Sequence, residues 1–187
     1  THSGSIKYAW IGSGQCGGRI VQTLRQFGYN KSVALNTTYH DLDLLEIPEE
    51  QKFLMDIGIN GAGKDTTRGA QAVTEYRQEI LHLCGQIFGE DTDHIMVAFG
   101  AGGGTGSGSA KGLIDLAKHY ARHIGIKNPN KHVGAIMTLP TIGEAKSPLV
   151  AQNAHTIATE LAAMAVAKKI SPLIIVDNQK ISSLYPD

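Results

Sequence analysis

Residues Phe99 to Ser109 read FGAGGGTGSGS, a segment in which six glycines are interspersed with hydroxyl side chains. The apolar run from His94 to Phe99 is typical of a buried strand, and a helix is predicted to begin near Ala110. Successive backbone N–H groups that lead into a helix N-terminus bind anions such as phosphates. A turn without a ligand would not need so many conformationally permissive residues. The segment therefore predicts a phosphate-binding loop between a strand and a helix.

Two further glycine clusters precede this one, at residues 12–18 and 58–69. Glycine makes up 22 of the 187 residues, which is well above the usual share of about 7%. The first cluster follows a predicted strand at Ile6 to Ile11, and the second follows one at Phe53 to Ile57. In a parallel sheet the strand-to-helix loops lie at the carboxyl edge, where ligands bind. We therefore expect the three clusters to converge on one ligand.

The apolar pattern alternates between strands and helices along the rest of the chain. This alternation predicts an α/β fold: a Rossmann-like parallel sheet with helices on both faces. Residues 6–187 are expected to form one domain, and the polar residues 1–5 are interpreted as a remnant of an expression tag. Further strands are predicted at 32–35, 133–137 and 173–176, and helices at 20–27, 70–87, 113–124 and 151–167.

The overall composition excludes several classes of protein. Seventeen basic residues balance seventeen acidic ones, which argues against broad electrostatic binding to nucleic acid or to an anionic membrane. No apolar run approaches the ~18 residues that a membrane helix needs. Cys16 and Cys84 cannot form a disulfide framework, so we expect a reducing, cytoplasmic location.

Two single-motif interpretations compete with the phosphate-loop hypothesis. Residues Gly12 to Gly17 match G-x-G-x-x-G, the dinucleotide fingerprint of NAD-dependent oxidoreductases, but Asn36 stands where the second strand should end in a carboxylate. Residues Gly58 to Asp65 differ from a P-loop at one position, since Asp65 replaces the hydroxyl that holds Mg²⁺. Each interpretation explains one glycine cluster and leaves the others unused. His119 and His123 lie four residues apart on a predicted helix, but no third zinc ligand is evident.

Taken together, the loops resemble those of a known family. The segment GGGTGSG at Gly102 to Gly108 resembles the signature of the tubulin/FtsZ superfamily. Four other segments are similar to loops of that superfamily in the same order, and the resemblance is greatest to TubZ-type tubulins of bacteria and phages. These segments are Gly14 to Gly17, Gly61 to Gly63, Thr138 to Pro140 with Glu144, and Val176 to Ile181.

The resemblance implies GTP or GDP as the ligand, with Mg²⁺ held mainly by the phosphates and near Gln15. It also implies a set of nucleotide-binding residues, and Arg19 departs from the family pattern at its position. The set is Gly14, Gln15, Cys16, Arg19, Asn36, Gly61, Ala62, Gly63, Gly102, Gly103, Gly104, Thr105, Gly106, Thr138, Pro140, Glu144 and Asn178.

The implied roles differ along this set. Residues 103–106 would cradle the β- and γ-phosphates, and residues 61–63 would sense the γ-phosphate. Asn36 and Thr37 would lie beside the metal. Glu144 would accept hydrogen bonds from the ribose hydroxyls, and the amide of Asn178 would read guanine, because an amide both donates and accepts.

The resemblance further implies a polymerising GTPase that associates with itself head-to-tail in filaments and serves plasmid or phage DNA segregation or cell division. An acidic loop of the next subunit, with the pattern N-x-D-x-x-D, would complete hydrolysis, so no catalytic residue is assigned within this chain. That loop and a second domain, through which adaptor proteins would bind, are expected beyond Asp187, where a central helix would begin. The alternatives are a non-polymerising, regulatory nucleotide-binding homologue and, more remotely, an NAD-dependent oxidoreductase.

Overall fold

A computed structural model describes residues 4–58 and 61–179 of the chain. Six strands form one sheet in the order β3-β2-β1-β4-β5-β6, and every neighbouring pair is parallel. The predicted Rossmann-like fold is therefore confirmed. The strands are β1 (Tyr8–Ser13), β2 (Ser32–Asn36), β3 (Lys52–Leu54), β4 (His94–Gly100), β5 (Val133–Leu139) and β6 (Leu173–Asp177).

Helices connect the strands as the periodicity predicts, but their bounds differ. The first helix begins at Gly14 and not at residue 20, and a short helix at Tyr39–Asp43 was not predicted. The single helix expected at residues 70–87 is two helices, because the backbone leaves the helical conformation at Tyr76. The helix expected near Ala110 begins at Gly104 instead. The helices are α1 (Gly14–Gln26), α2 (Tyr39–Asp43), α3 (Thr66–Glu75), α4 (Arg77–Phe88), α5 (Gly104–His123) and α6 (Pro148–Val166), with 3₁₀ turns at Glu49–Gln51, Pro129–Lys131 and Glu144–Lys146.

The central strands β1 and β4 are buried on both faces, because their side chains alternate between two cores. Ile11 and Val97 point to the larger core, which α3, α4, α5 and α6 cover. Trp10 and Met96 point to the smaller core, which α1 and α2 cover. The helices therefore lie on both faces of the sheet and leave its carboxyl edge open. Within residues 4–58 and 61–179, no helix has both the length and the apolar character needed to cross a membrane.

Candidate nucleotide-binding site

A cleft opens at the carboxyl edge of the sheet where β1 and β4 lie side by side. In the sheet, β2 lies beside β1 on one side and β5 lies beside β4 on the other. The connections that leave β1 and β4 therefore run in opposite directions, and a crevice forms between them. The lining brings together most of the predicted site. It comprises Gly14, Gln15, Cys16, Asn36, Thr37, Thr38, Asp41, Gly63, Lys64, Gly100, Ala101, Gly102, Gly103, Gly104, Thr105, Gly106, Thr138, Leu139, Pro140, Glu144, Val150 and Asn178.

The loop after β1 reaches the cleft through Gly14, which has φ +75°. A side chain is strained in this conformation, and a Cβ at Gly14 would lie 3.1 Å from the amide nitrogen of Gly106. Helix α1 starts at this residue. The first and third glycine clusters are therefore in direct contact, and the N-terminus of α1 faces the same cleft as that of α5.

The N-terminus of α5 lies inside the third glycine cluster, where the sequence predicted a loop. Gly104, Thr105 and Gly106 form its first turn and line the cleft. The first N–H groups of a helix have no partner within the helix. That of Gly104 donates to the carbonyl of Gly63 at 3.0 Å, and the ones that follow it are donors for an anion. The predicted phosphate loop is therefore largely the beginning of a helix, which supplies donors with the dipole aligned toward the ligand.

Close packing, and not left-handed backbone, explains the glycines of α5. None of the glycines from Gly100 to Gly108 has a positive φ. A Cβ at Gly104 would lie 2.6 Å from the carbonyl oxygen of Gly63, and one at Gly108 would lie 2.1 Å from that of Thr66. Helix α3 and the loop before it therefore lie directly against α5. In the first two clusters, by contrast, Gly14, Gly61 and Gly63 have a positive φ.

The loop after β2 connects the first turn of α5 to the second glycine cluster. Thr37 Oγ1 lies 2.7 Å from Thr105 Oγ1 and accepts a hydrogen bond from the Ala62 amide at 3.0 Å. Asn36 Oδ1 accepts from the Thr37 amide at 2.7 Å. Gly61 packs against the same threonine. Gly61 and Ala62 therefore lie buried behind Thr37, while the next residue, Gly63, lines the cleft.

Asp65 has a structural role in place of the one that the P-loop interpretation gave it. Its Oδ1 accepts a hydrogen bond from the Thr67 amide at 2.9 Å, so it is the N-cap of α3. Asp65 is exposed and is not among the described residues that line the cleft. Ile59 and Asn60 of the same motif lie outside the described residues.

The other end of the cleft is formed by the loops after β5 and β6. Glu144 Oε1 accepts a hydrogen bond from the Thr141 amide at 3.0 Å, and Thr141 Oγ1 accepts from the Glu144 amide at 3.2 Å. Gln179 Oε1 accepts from the Ile142 amide at 3.0 Å, which ties the two loops together. Thr138, Pro140, Glu144 and Asn178 are thereby held on the β5–β6 side of the cleft. Lys180 and Ile181 of the predicted base loop lie outside the described residues.

Three residues of the predicted set, Arg19, Gly61 and Ala62, are not among the described residues that line the cleft, and other lining residues were not predicted. Arg19 is exposed on α1 and is not among the described lining residues. Asp41 and Lys64 line the cleft and were not predicted. Asn153 was also missed, although its Nδ2 donates to the carbonyls of Lys64 at 2.9 Å and Gly102 at 3.1 Å. Asp41 had a local signal as a carboxylate shortly after the end of a strand, and Lys64 had one as the lysine of the near P-loop match.

Three charged side chains line the cleft within the described part of the chain: Asp41, Lys64 and Glu144. Their formal sum is one negative charge, so the donors for an anion are mainly backbone amides. In residues 4–58 and 61–179, no three His, Cys, Asp or Glu side chains are grouped so as to hold a metal ion. His119 and His123 accordingly form no metal site with a third such residue there.

Comparisons with known proteins assign these loops to one family. The model of the Tubulin/FtsZ family, GTPase domain, matches residues 7–186. The tubulin-like protein CetZ of Thermococcus kodakarensis is 31% identical over 183 residues, which cover 95% of this chain and 44% of that protein. The chain thus spans about half the length of the curated relatives it matches.

Two solved structures share the architecture. CetZ2 of Haloferax volcanii, a GTPγS-bound protofilament, superimposes with a TM-score of 0.71 at 28% identity, covering 92% of this chain and 49% of that one. TubZ of Bacillus thuringiensis serovar israelensis, in a GTPγS-form protofilament, gives a TM-score of 0.75 at 19% identity, covering 96% and 49%. At that identity the likeness to TubZ shows the fold alone.

The family match includes all three glycine clusters, which the dinucleotide and P-loop interpretations could explain only one at a time. It also runs through both loops on the β5–β6 side of the cleft, including Asn178, which directly follows β6. The chain therefore belongs to the tubulin/FtsZ family and corresponds to its GTPase domain.

Proposed function

We propose that this chain binds GTP and GDP in the cleft between the carboxyl ends of β1 and β4. The observation that carries the proposal is that the N-termini of α1 and α5 meet there, with Gly14 against Gly106. Two helix N-termini, each with amides that have no partner within the helix, suit a di- or triphosphate better than a single anion. The CetZ2 relative, at 28% identity, is described as GTPγS-bound.

The orientation of the nucleotide follows from the two ends of the cleft. The phosphates lie over residues 103–106, because the backbone amides of this segment are at the N-terminus of α5. The γ-phosphate lies toward Gly63. The nucleoside lies on the β5–β6 side, where Glu144 accepts from the ribose and Asn178 pairs with guanine. One oxygen of Glu144 already accepts from Thr141, so its other oxygen is the one for the ribose.

The donor set at the phosphate end suits Mg²⁺. Asn36, Thr37 and Asp41 offer hard oxygen atoms, and Mg²⁺ is usually held by one or two carboxylates together with substrate phosphates. When bound, the ion would supply positive charge that neutralises the phosphates. Gln15 lines the same cleft.

We further propose that hydrolysis requires a second copy of the protein. The cleft provides donors for the phosphates, but the sequence contains no N-x-D-x-x-D segment to position water. The cleft opens at the sheet edge, and the CetZ2 relative is a protofilament. A neighbouring subunit placed over the cleft would bring its acidic loop to the γ-phosphate. A non-polymerising regulatory homologue is the alternative.

Two measurements test this proposal. Residues 1–187 should bind GTP but release phosphate very slowly at every protein concentration. The product of the complete reading frame should pellet in the presence of GTP, and its specific activity should rise with its concentration. GTP binding without pelleting favours the regulatory homologue. Fast hydrolysis by residues 1–187, independent of concentration, would show that the acid lies within this chain.

A further inference from the structure

We propose that Asp41 is the carboxylate through which this protein engages the metal of a bound metal–nucleotide complex. The inference rests on the proposed function, since it assumes that a nucleotide occupies the cleft. Asp41 lies on the short helix α2 after β2, and its side chain lines the cleft. None of the sequence motifs includes this residue.

The local hydrogen bonds fix one oxygen of this carboxylate. Thr38 Oγ1 donates to Asp41 Oδ2 at 2.8 Å, and Asn36 Nδ2 donates to the same oxygen at 3.4 Å. Oδ1 receives no hydrogen bond from the part of the chain that the structure describes. The carboxylate is therefore held in place through one oxygen, while the other is free to accept from the hydration shell of a cation.

The position of Asp41 assigns it to the phosphate end of the cleft. Asn36 is bonded both to Asp41 and to the Thr37 amide, and Thr37 is bonded to Thr105 at the start of α5. Glu144, the other carboxylate of the lining, lies on the opposite side of β1 and β4, after β5. Asp41 is thus the carboxylate near the proposed phosphate site.

Charge explains why this residue requires a cation. A carboxylate beside a triphosphate disfavours binding, and an intervening divalent ion reverses the sign of that interaction. Lys64 is the one basic side chain among the described lining residues, and it is exposed. Asp65, the carboxylate next in sequence to the lysine, is used as the cap of α3. Asp41 should therefore make nucleotide binding depend on Mg²⁺.

The test is to measure the affinity for GTP and GDP with excess Mg²⁺ and with EDTA, for the wild-type protein and Asp41→Asn. The isosteric amide removes the charge and retains an oxygen that can accept from Thr38. We expect Asp41→Asn to bind nucleotide more tightly than wild type in EDTA and more weakly in Mg²⁺, so that its Mg²⁺ dependence falls about tenfold. Asp43→Asn, on the same helix and exposed, is the control and should match wild type.

A direct readout uses Mn²⁺ in place of Mg²⁺. Electron paramagnetic resonance of free Mn²⁺ gives its affinity for the protein–GDP complex, and Asp41→Asn should lower that affinity about tenfold. Should Asp41→Asn not fold, as judged by circular dichroism, Asp41→Ser replaces it. Wild-type Mg²⁺ dependence and Mn²⁺ affinity in the folded variant would overturn the inference. Wild-type protein that binds no GTP in either condition would instead contradict the proposed function.

Discussion

The hydroxyls of Thr37 and Thr105 lie 2.7 Å apart and are both buried, so the end of β2 is bonded directly to the first turn of α5. The same Thr37 oxygen accepts from the Ala62 amide. The Thr37 side chain therefore connects the loop after β2, the second glycine cluster and the first turn of α5. Its geometry sets the distance between the proposed γ-phosphate loop and the helix that holds the phosphates.

Thr105→Val tests this connection, because valine keeps the shape of threonine and removes its hydroxyl. The variant should lose about 1–2 kcal/mol of unfolding free energy, since a buried hydrogen bond is broken. Its affinity for GTP should fall more than its affinity for GDP, because the loop at Gly63 is less well held. Denaturant unfolding and calorimetric titration measure the two effects. Thr74→Val, at an exposed position of α3, is the control. Equal losses for GTP and GDP would contradict the link to that loop.

Gly104 and Gly103 form a matched pair for the packing of α5. A Cβ at Gly104 would lie 2.6 Å from backbone atoms of Gly63 and Asp65, whereas one at Gly103 would meet no atom within 4 Å. Gly104→Ala should therefore displace the loop, with a loss of stability of about 1–3 kcal/mol. Gly103→Ala should cost less than about 1 kcal/mol. Thermal unfolding gives the melting temperatures of both variants. Equal values would show that the close contact at Gly104 does not limit stability.

The strands could be predicted from the sequence, because their apolar periodicity is a local signal. The convergence of the loops could also be predicted, because a parallel sheet brings its strand-to-helix loops to one edge. The start of α5 could not. Its glycines resemble a loop locally, and they are helical because α3 packs against them, as Gly69 does with a Cβ position 2.2 Å from the carbonyl oxygen of Gly104. The break at Tyr76 is similar, since its hydroxyl donates to the carbonyl of Asp56, 20 residues away. Such tertiary contacts leave no mark on the periodicity.

Asn153 is a second residue that sequence could not reveal, since its partners lie 89 and 51 residues away. Its amide donates to Lys64 and Gly102, and the residue is 6% exposed. Asn153→Asp replaces these two donors by an acceptor that faces two carbonyls. It should be less stable than wild type by about 2–4 kcal/mol and less stable than Asn153→Ala. Chemical denaturation gives both values, with the exposed Gln152→Ala as control. An aspartate variant as stable as wild type would mean that the amide does not join the loops.

His94 predicts how stability depends on pH. Burial, with a smaller contribution from neighbouring His132, holds the pKa of His94 below its ordinary value of 6.5 in the folded protein. Its Nε2 is buried without a hydrogen-bond partner in the described structure, and Tyr8 packs against the ring. The unfolded chain therefore binds a proton at this position more readily than the folded protein does. Protonation of His94 leaves the free energy of unfolding unchanged above pH 6.5 and lowers it as the pH drops below that value.

Replacing His94 by Gln should accordingly flatten the fall in stability on the acid side of neutrality. Unfolding free energies measured from neutral to mildly acidic pH give the slope for each protein. His155→Gln, at an exposed position of α6, should keep the wild-type slope. An unchanged slope in His94→Gln would assign the acid sensitivity to other groups.

We propose that the cleft is a guanine-nucleotide site in which Asn178 reads the base. The most direct measurement is calorimetric titration of residues 1–187 with GTP, GDP and ATP, in the wild type and in Asn178→Ala. We expect GTP and GDP to bind and ATP to bind at least about tenfold more weakly. Asn178→Ala should lose about 1–3 kcal/mol of GTP affinity, and with it the preference over ATP. Equal affinity of the wild type for ATP and GTP would show that Asn178 does not select guanine.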